Sequence, residues 1–183
     1  MKTIACLRRI ALLLPASALL LAGCSKAVEE EEILPEVAFS FDFPALPITL
    51  DSATVAGPGL VLELDSNALA QAMAAQGYLP GQLMGVSINK ATLYWSGPVG
   101  GTYNSVQSVA LLLGAGDAAP VTVASMDPVP VGAQTLLLPL AGAEVLQLLQ
   151  GDHPRISFRM QFDGPMPQSG HLLVLGARVG LKP

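Results

Sequence analysis

Ile156-Ser157-Phe158-Arg159-Met160-Gln161-Phe162-Asp163 alternates without a break between apolar and polar residues. Successive side chains of a strand point to opposite faces, so this segment gathers Ile156, Phe158, Met160 and Phe162 on one side. A helix would scatter the same four around its axis. Val37-Ala38-Phe39-Ser40-Phe41-Asp42-Phe43 has the same period, with Val37, Phe39, Phe41 and Phe43 on the face expected to be core. Leu60-Val61-Leu62-Glu63-Leu64-Asp65 is a third such segment, Leu60, Leu62 and Leu64 facing in. Glycine and proline punctuate these runs, at Pro44 and Pro47, Pro80-Gly81, Gly97-Pro98-Val99-Gly100-Gly101, Gly114-Ala115-Gly116-Asp117 and Gly164-Pro165.

Further strands are expected over Val86–Ser96, Ser105–Leu113, Pro120–Ala124, Thr135–Leu140 and His171–Val179. The one opened by Pro120 belongs near an edge, because proline cannot donate to a ladder. Two short helices interrupt them. Ala68–Gln76 follows the capping residues Asp65-Ser66-Asn67 and stops at Gly77. Glu144–Gln150 carries Val145, Leu148 and Leu149 on one side and stops at Gly151. Many strands with Gly/Pro turns and two short helices predict an all-β fold: an antiparallel, jelly-roll-like β-sandwich with two short crossover helices. A flattened β-barrel is the alternative. The order strand, short helix, strand, Gly-Pro turn, strand occurs twice, from Leu60 to Leu113 and from Thr135 to Val179, which raises the question of an internal repeat.

The first 24 residues are of another kind. Lys2, Arg8 and Arg9 precede the apolar run Ile10–Leu21, and the small residues Ala22-Gly23 precede Cys24. A basic start, a short apolar middle and small residues at the cut are the layout of a secretory signal. The apolar run falls short of the roughly 20 residues a spanning helix needs. Leu21-Ala22-Gly23-Cys24 resembles the lipobox of bacterial lipoproteins, a likeness confined to residues 1–24. It implies cleavage between Gly23 and Cys24, a diacylglycerol on the Cys24 sulfur and an acylated new N-terminus. Each buried CH₂ contributes roughly 0.8 kcal/mol, so two or three chains hold where one is marginal. Ser25, where Asp would imply inner-membrane retention, implies an outer-membrane address. The expected organisation is a signal peptide over 1–23, lipidated Cys24 with an acidic flexible tether over 24–36, and a single β-sandwich domain over 37–183. Glu29-Glu30-Glu31-Glu32 makes the tether a solvated spacer, with a looser likeness to the tethers of surface-exported lipoproteins.

Charge and cysteine content narrow the chemistry. Three of the nine Lys and Arg lie in the signal, leaving six against fourteen Asp and Glu, a net charge of −8. No clustered basic face is readable, and no nucleic-acid partner is expected. Cys6 goes with the signal and Cys24 with the lipid, so the domain is expected to stand on its core without a disulfide. A domain of this length buries roughly 70% of its unfolded surface.

Candidate catalytic groups are few. His153, in Gly151-Asp152-His153-Pro154, and His171, after Ser169-Gly170, both read as solvated loop or strand-end residues. No Gly-x-Ser-x-Gly elbow is present. Two isolated histidines and no free cysteine give no metal-ligand spacing. Asp42, Glu63, Asp65 and Asp163 fall on the outer faces of strands. No catalytic residue, metal or cofactor is expected. Tyr78, Tyr94, Trp95 and Tyr103 are the candidate ligand contacts. Trp95 shares a face with Leu93 and Tyr94 takes the other, so one is core and its neighbour exposed. Trp95 in the core with tyrosines at the rim is the expected arrangement; an exposed aromatic patch that stacks on sugars is the alternative.

The expectation is therefore a lipid-anchored cell-envelope lipoprotein with a non-enzymatic binding or structural β-domain. It would sit in the outer membrane, periplasmic or surface-exposed, held through Cys24 and meeting a protein or glycan partner. A carbohydrate-binding surface lipoprotein and a carrier of an apolar ligand between the sheets are the alternatives. An enzyme would require His153 or His171 beside a carboxylate in a cleft.

Overall fold

A computed structural model describes residues 37–51, 60–166 and 168–182. The expected signal, with Gly23 and Cys24, and the expected tether lie outside the described residues. The strands are β1 (Val37–Asp42), β2 (Leu46–Leu50), β3 (Val61–Glu63), β4 (Leu83–Trp95), β5 (Val106–Gly114), β6 (Val121–Met126), β7 (Thr135–Leu137), β8 (Arg155–Phe162) and β9 (Ser169–Leu181). Helix α1 (Ala68–Ala75) lies between β3 and β4, and α2 (Leu146–Leu149) between β7 and β8. One sheet has the order β1-β9-β4-β7, with β2 also on β9, and the other β3-β8-β5-β6. The sheets stay separate rather than closing into a barrel.

The pairing follows a simple rule. β1 and β2 pair β9, β3 pairs β8, β4 pairs β7 and β5 pairs β6, all antiparallel. Pairs that nest in this way describe one long antiparallel ribbon doubled at the β5–β6 turn. Rolling the ribbon adds β4·β9 and β5·β8 and splits it into two sheets, which is a jelly roll. Both helices carry the chain from one sheet to the other, as expected of crossovers. The two similar passages also occupy equivalent places: exchanging β3, β4, β5 with β7, β8, β9 turns each pairing among these six strands into another observed one, while β6 on β5 and β1 and β2 on β9 lie outside the exchange.

Inner-face alternation makes the core. Ile156, Phe158 and Met160 of β8 are buried, facing Leu93, Leu173, Leu175 and Val179 in the same cluster. Each such side chain contributes roughly 1.5–3 kcal/mol by leaving water. β4 keeps this up over 13 residues by changing phase. A register shift between Ile88 and Lys90 lets Val86 and Ile88 face in before it, and Ala91 and Leu93 after it. β5 changes phase between Val106 and Ser108 in the same way. Phe43 is buried, but Phe39 and Phe41 are only half-buried, because β1 is an edge strand.

Three segments depart from the expected boundaries. The strand expected over Thr135–Leu140 ends at Leu137; the Leu138 N–H still donates to the Ala91 carbonyl of β4 at 2.9 Å, and beyond Pro139, which cannot donate, Leu140 bridges Ala124 of the second sheet. The helix expected from Glu144 begins at Leu146, because Glu144 bridges Ser87 of β4 and the Val145 N–H donates to the Val86 carbonyl at 2.8 Å; the Glu144 carboxylate adds to this. Its Oε1 accepts the N–H of Val86 at 2.7 Å and of Leu146 at 3.0 Å. At α1, Asn67 makes no side-chain cap; Asp65 Oδ1 accepts the Asn67 N–H at 2.8 Å in an Asx turn.

Candidate functional site

Strand parity places the polar cluster of this domain. β9 runs with every odd residue inward: Ser169, His171, Leu173, Leu175, Ala177, Val179 and Leu181 are all buried. The last five are apolar. The first two are not, and they sit at the end of the sandwich where β9 meets Trp95 of β4. His171 is 1% exposed, which corrects the expectation of a solvated histidine. The parity signal was available: Arg178 and Lys182 belong outside, and an unbroken period of two then carries His171 inside. His153 does stand on the surface, in the left-handed region at φ 50°.

Both ring nitrogens of His171 are engaged. Nδ1 lies 2.8 Å from the Tyr103 hydroxyl and Nε2 lies 2.8 Å from Ser169 Oγ. Ser169 Oγ is in turn 3.5 Å from the Leu50 carbonyl. One proton placement serves every group. Tyr103 donates to Nδ1, Nε2–H donates to Ser169, and Ser169 donates to Leu50. The opposite tautomer leaves the Tyr103 proton with no described acceptor, so the first assignment follows from the network. The chain ties β2, β9 and the loop before β5 together with neutral groups.

Burial tunes both ionisable members. Desolvation disfavours the imidazolium and lowers the His171 pKa to about 4. Desolvation also pushes the Tyr103 phenol well above its ordinary value. The Trp95 ring closes the cluster, edge-on to His171 at 5.0 Å and to Tyr103 at 5.5 Å. Its Nε1–H donates to the Pro98 carbonyl at 3.1 Å. Gly101 lies flat on the indole: a Cβ there would stand 2.0 Å from Trp95 Cε2.

A serine hydroxyl 2.8 Å from a histidine nitrogen invites comparison with a nucleophile and its base. The details differ. A base must accept at Nε2 and be oriented at Nδ1 by an acceptor, usually a carboxylate. Here Nδ1 accepts from Tyr103, Nε2 carries the proton, and Ser169, His171 and Tyr103 are 4%, 1% and 0% exposed. Substrate has no route to the hydroxyl in this geometry. The arrangement packs and orients; it is not set up for proton transfer to a ligand.

The four aromatic candidates separate. Trp95 and Tyr103 meet in the cluster, Trp95 half-buried and Tyr103 sealed. Tyr94 points to the other face of the same sheet, at 38% exposure between Thr135 and Leu172. Tyr78 stacks on Phe39, with ring centroids 5.7 Å apart and planes 12° apart. They do not form one stacking patch. Asp42, Glu63, Asp65 and Asp163 are exposed, and Asp42 pairs with Lys90 at 3.0 Å. Tyr103 had no periodic signal, since its burial comes from a loop folding over Trp95.

By its strand order the described domain belongs to the class of jelly-roll sandwiches. No protein-family model matches the chain, and no curated protein does. Among solved structures, one of Desmodium yellow mottle tymovirus is similar at 12% identity and a TM-score of 0.32, over 82% of this chain and 90% of that one. One of turnip yellow mosaic virus is similar at 10% identity and a TM-score of 0.25, over 80% and 95%. At these TM-scores neither likeness carries an argument.

Proposed function

We propose that this chain is a lipid-anchored protein of the bacterial cell envelope, and that its β-sandwich is a non-enzymatic binding or structural module. The observation that carries the anchor is Leu21-Ala22-Gly23-Cys24 behind a basic start and a short apolar run. Ser25 supports an outer-membrane address. The tether of about a dozen residues would give the domain a reach of up to ~40 Å from the bilayer.

The non-enzymatic part is supported by what His171 is used for. The domain's one buried histidine is consumed in a neutral packing chain, and His153 stands apart on a turn. Carriage of an apolar ligand between the sheets is disfavoured by the core. Leu50, Leu93, Leu111, Phe158 and Leu173 fill the space there, each no more than 1% exposed.

Labelling with a radioactive fatty acid in a Gram-negative host tests the anchor. The wild-type chain should incorporate label and fractionate with membranes, and Cys24→Ser should lose both. Equal labelling of the two chains would sink the proposal.

A further inference from the structure

The outer face of the β3-β8-β5-β6 sheet carries a cleft that the proposed anchor does not explain. Its volume is about 310 Å³, at the lower end for small-ligand sites. Register defines its layout. On the middle strand β5, Ala110 lies between Arg159 of β8 and Ser125 of β6. One row further along, Ser108 pairs with Gln161, and Asp127 follows the end of β6. Small Ala110 therefore forms a floor ringed by hydrogen-bonding side chains.

Two of those side chains are charged and unmatched. Arg159 stands on one wall and Asp127 on the other, about two strand spacings apart, roughly 10 Å. They form no ion pair with each other, and neither side chain pairs with another described residue. The contrast lies on the same strand: the Arg155 guanidinium is spent on the Gly116 carbonyl at 2.8 Å. A guanidinium fork accepts a carboxylate in bidentate fashion, whereas a carboxylate across the cleft excludes a second anion and accepts hydroxyl protons. Between them lie Ser125 and the pair Ser108 and Gln161, in which the serine hydroxyl donates to Gln161 Oε1 at 3.3 Å and leaves the amide N–H groups to donate.

We propose that this cleft binds an acidic sugar, a ring bearing one carboxylate and several hydroxyls. The carboxylate sits on Arg159 and the ring lies over Ala110. The hydroxyls on its far side donate to Asp127. The inference rests on the binding-module part of the proposed function and not on the lipid anchor.

Titration of the full chain in detergent micelles with D-glucuronate, D-glucose and acetate, followed by backbone NMR shifts, tests it. Glucuronate should move signals of β5, β6 and β8, with glucose and acetate each at least tenfold weaker. Arg159→Met should weaken glucuronate at least tenfold at an unchanged thermal midpoint, while Arg178→Met on the other sheet should leave it unaltered. Acetate as effective as glucuronate would make this a plain anion site, and glucose as effective would remove the role of Arg159; either overturns the proposal, as does an absence of shifts. Cys24→Ser should bind as the wild type does, which separates this site from the anchor. Hydrolysis of a uronate glycoside would instead overturn the non-enzymatic reading while leaving the site in place.

Discussion

At the scale of the residue, His171 has both nitrogens committed, one as acceptor and one as donor. A second proton has nowhere to go, because Tyr103 already donates to Nδ1. The consequence is a pH dependence of known sign. Above pH 6.5 the imidazole is neutral in the folded and unfolded chain alike, and the network keeps its full contribution. Below that, the unfolded chain takes up a proton that the folded chain refuses. Stability therefore falls as pH drops from 6.5 towards about 4, by about 3 kcal/mol when complete. Urea midpoints measured across this window should decline in the wild type and decline less in His171→Gln; parallel slopes would refute the assignment. Tyr103 has the opposite sense. Its phenol resists ionisation, so its contribution holds below pH 10 and is lost as pH rises above it. Tyr103→Phe leaves Nδ1 without its donor in a sealed site, and should cost about 1–3 kcal/mol in chemical denaturation.

Elements are held by side chains that no periodicity announces. Glu144 lies outside any helix or named strand, yet its carboxylate accepts backbone N–H groups of both β4 and α2. Gly85 gives it room, since a Cβ there would stand 2.9 Å from Glu144 Oε2. Glu144→Ala should therefore destabilise the fold by about 1–3 kcal/mol, against a change within the spread of surface substitutions for Asp163→Ala, also at an exposed position. Calorimetry on the two variants decides it, and equal midpoints would show that Glu144 anchors nothing. The same contrast marks what could be read in advance. β8 was legible because its alternation is unbroken; β9 was legible as a strand, but the parity that Arg178 sets, which carries His171 inside, went unused. β7 was overextended because Leu138 and Leu140 continue an apolar run while Pro139 turns the chain towards the other sheet. The bulges of β4 and β5 appear in sequence only as apolar residues switching from even to odd positions. Of the candidate site, strand parity predicts that Trp95 and Tyr94 face opposite ways. Tyr103 and Gly101 could not be placed, because a loop closing on an indole leaves no pattern in its own residues.

At the scale of the whole molecule, two instructions lie side by side in one chain. Residues 37 onward specify a sandwich of nested strand pairs, laid out by alternation and turns and tied by side chains such as Glu144. Residues 1–24 carry the proposed address. The domain has no other cysteine, so the proposed lipid leaves it to its β-sheet packing. The anchor is the claim on which the proposed location and reach depend. Mass spectrometry of the N-terminal peptide, from full-length protein purified out of Gram-negative membranes, tests it most directly. The account predicts a peptide that begins at Cys24 and carries a diacylglycerol and an amide-linked acyl chain. A chain that still begins at Met1, or an unmodified Cys24, would contradict it.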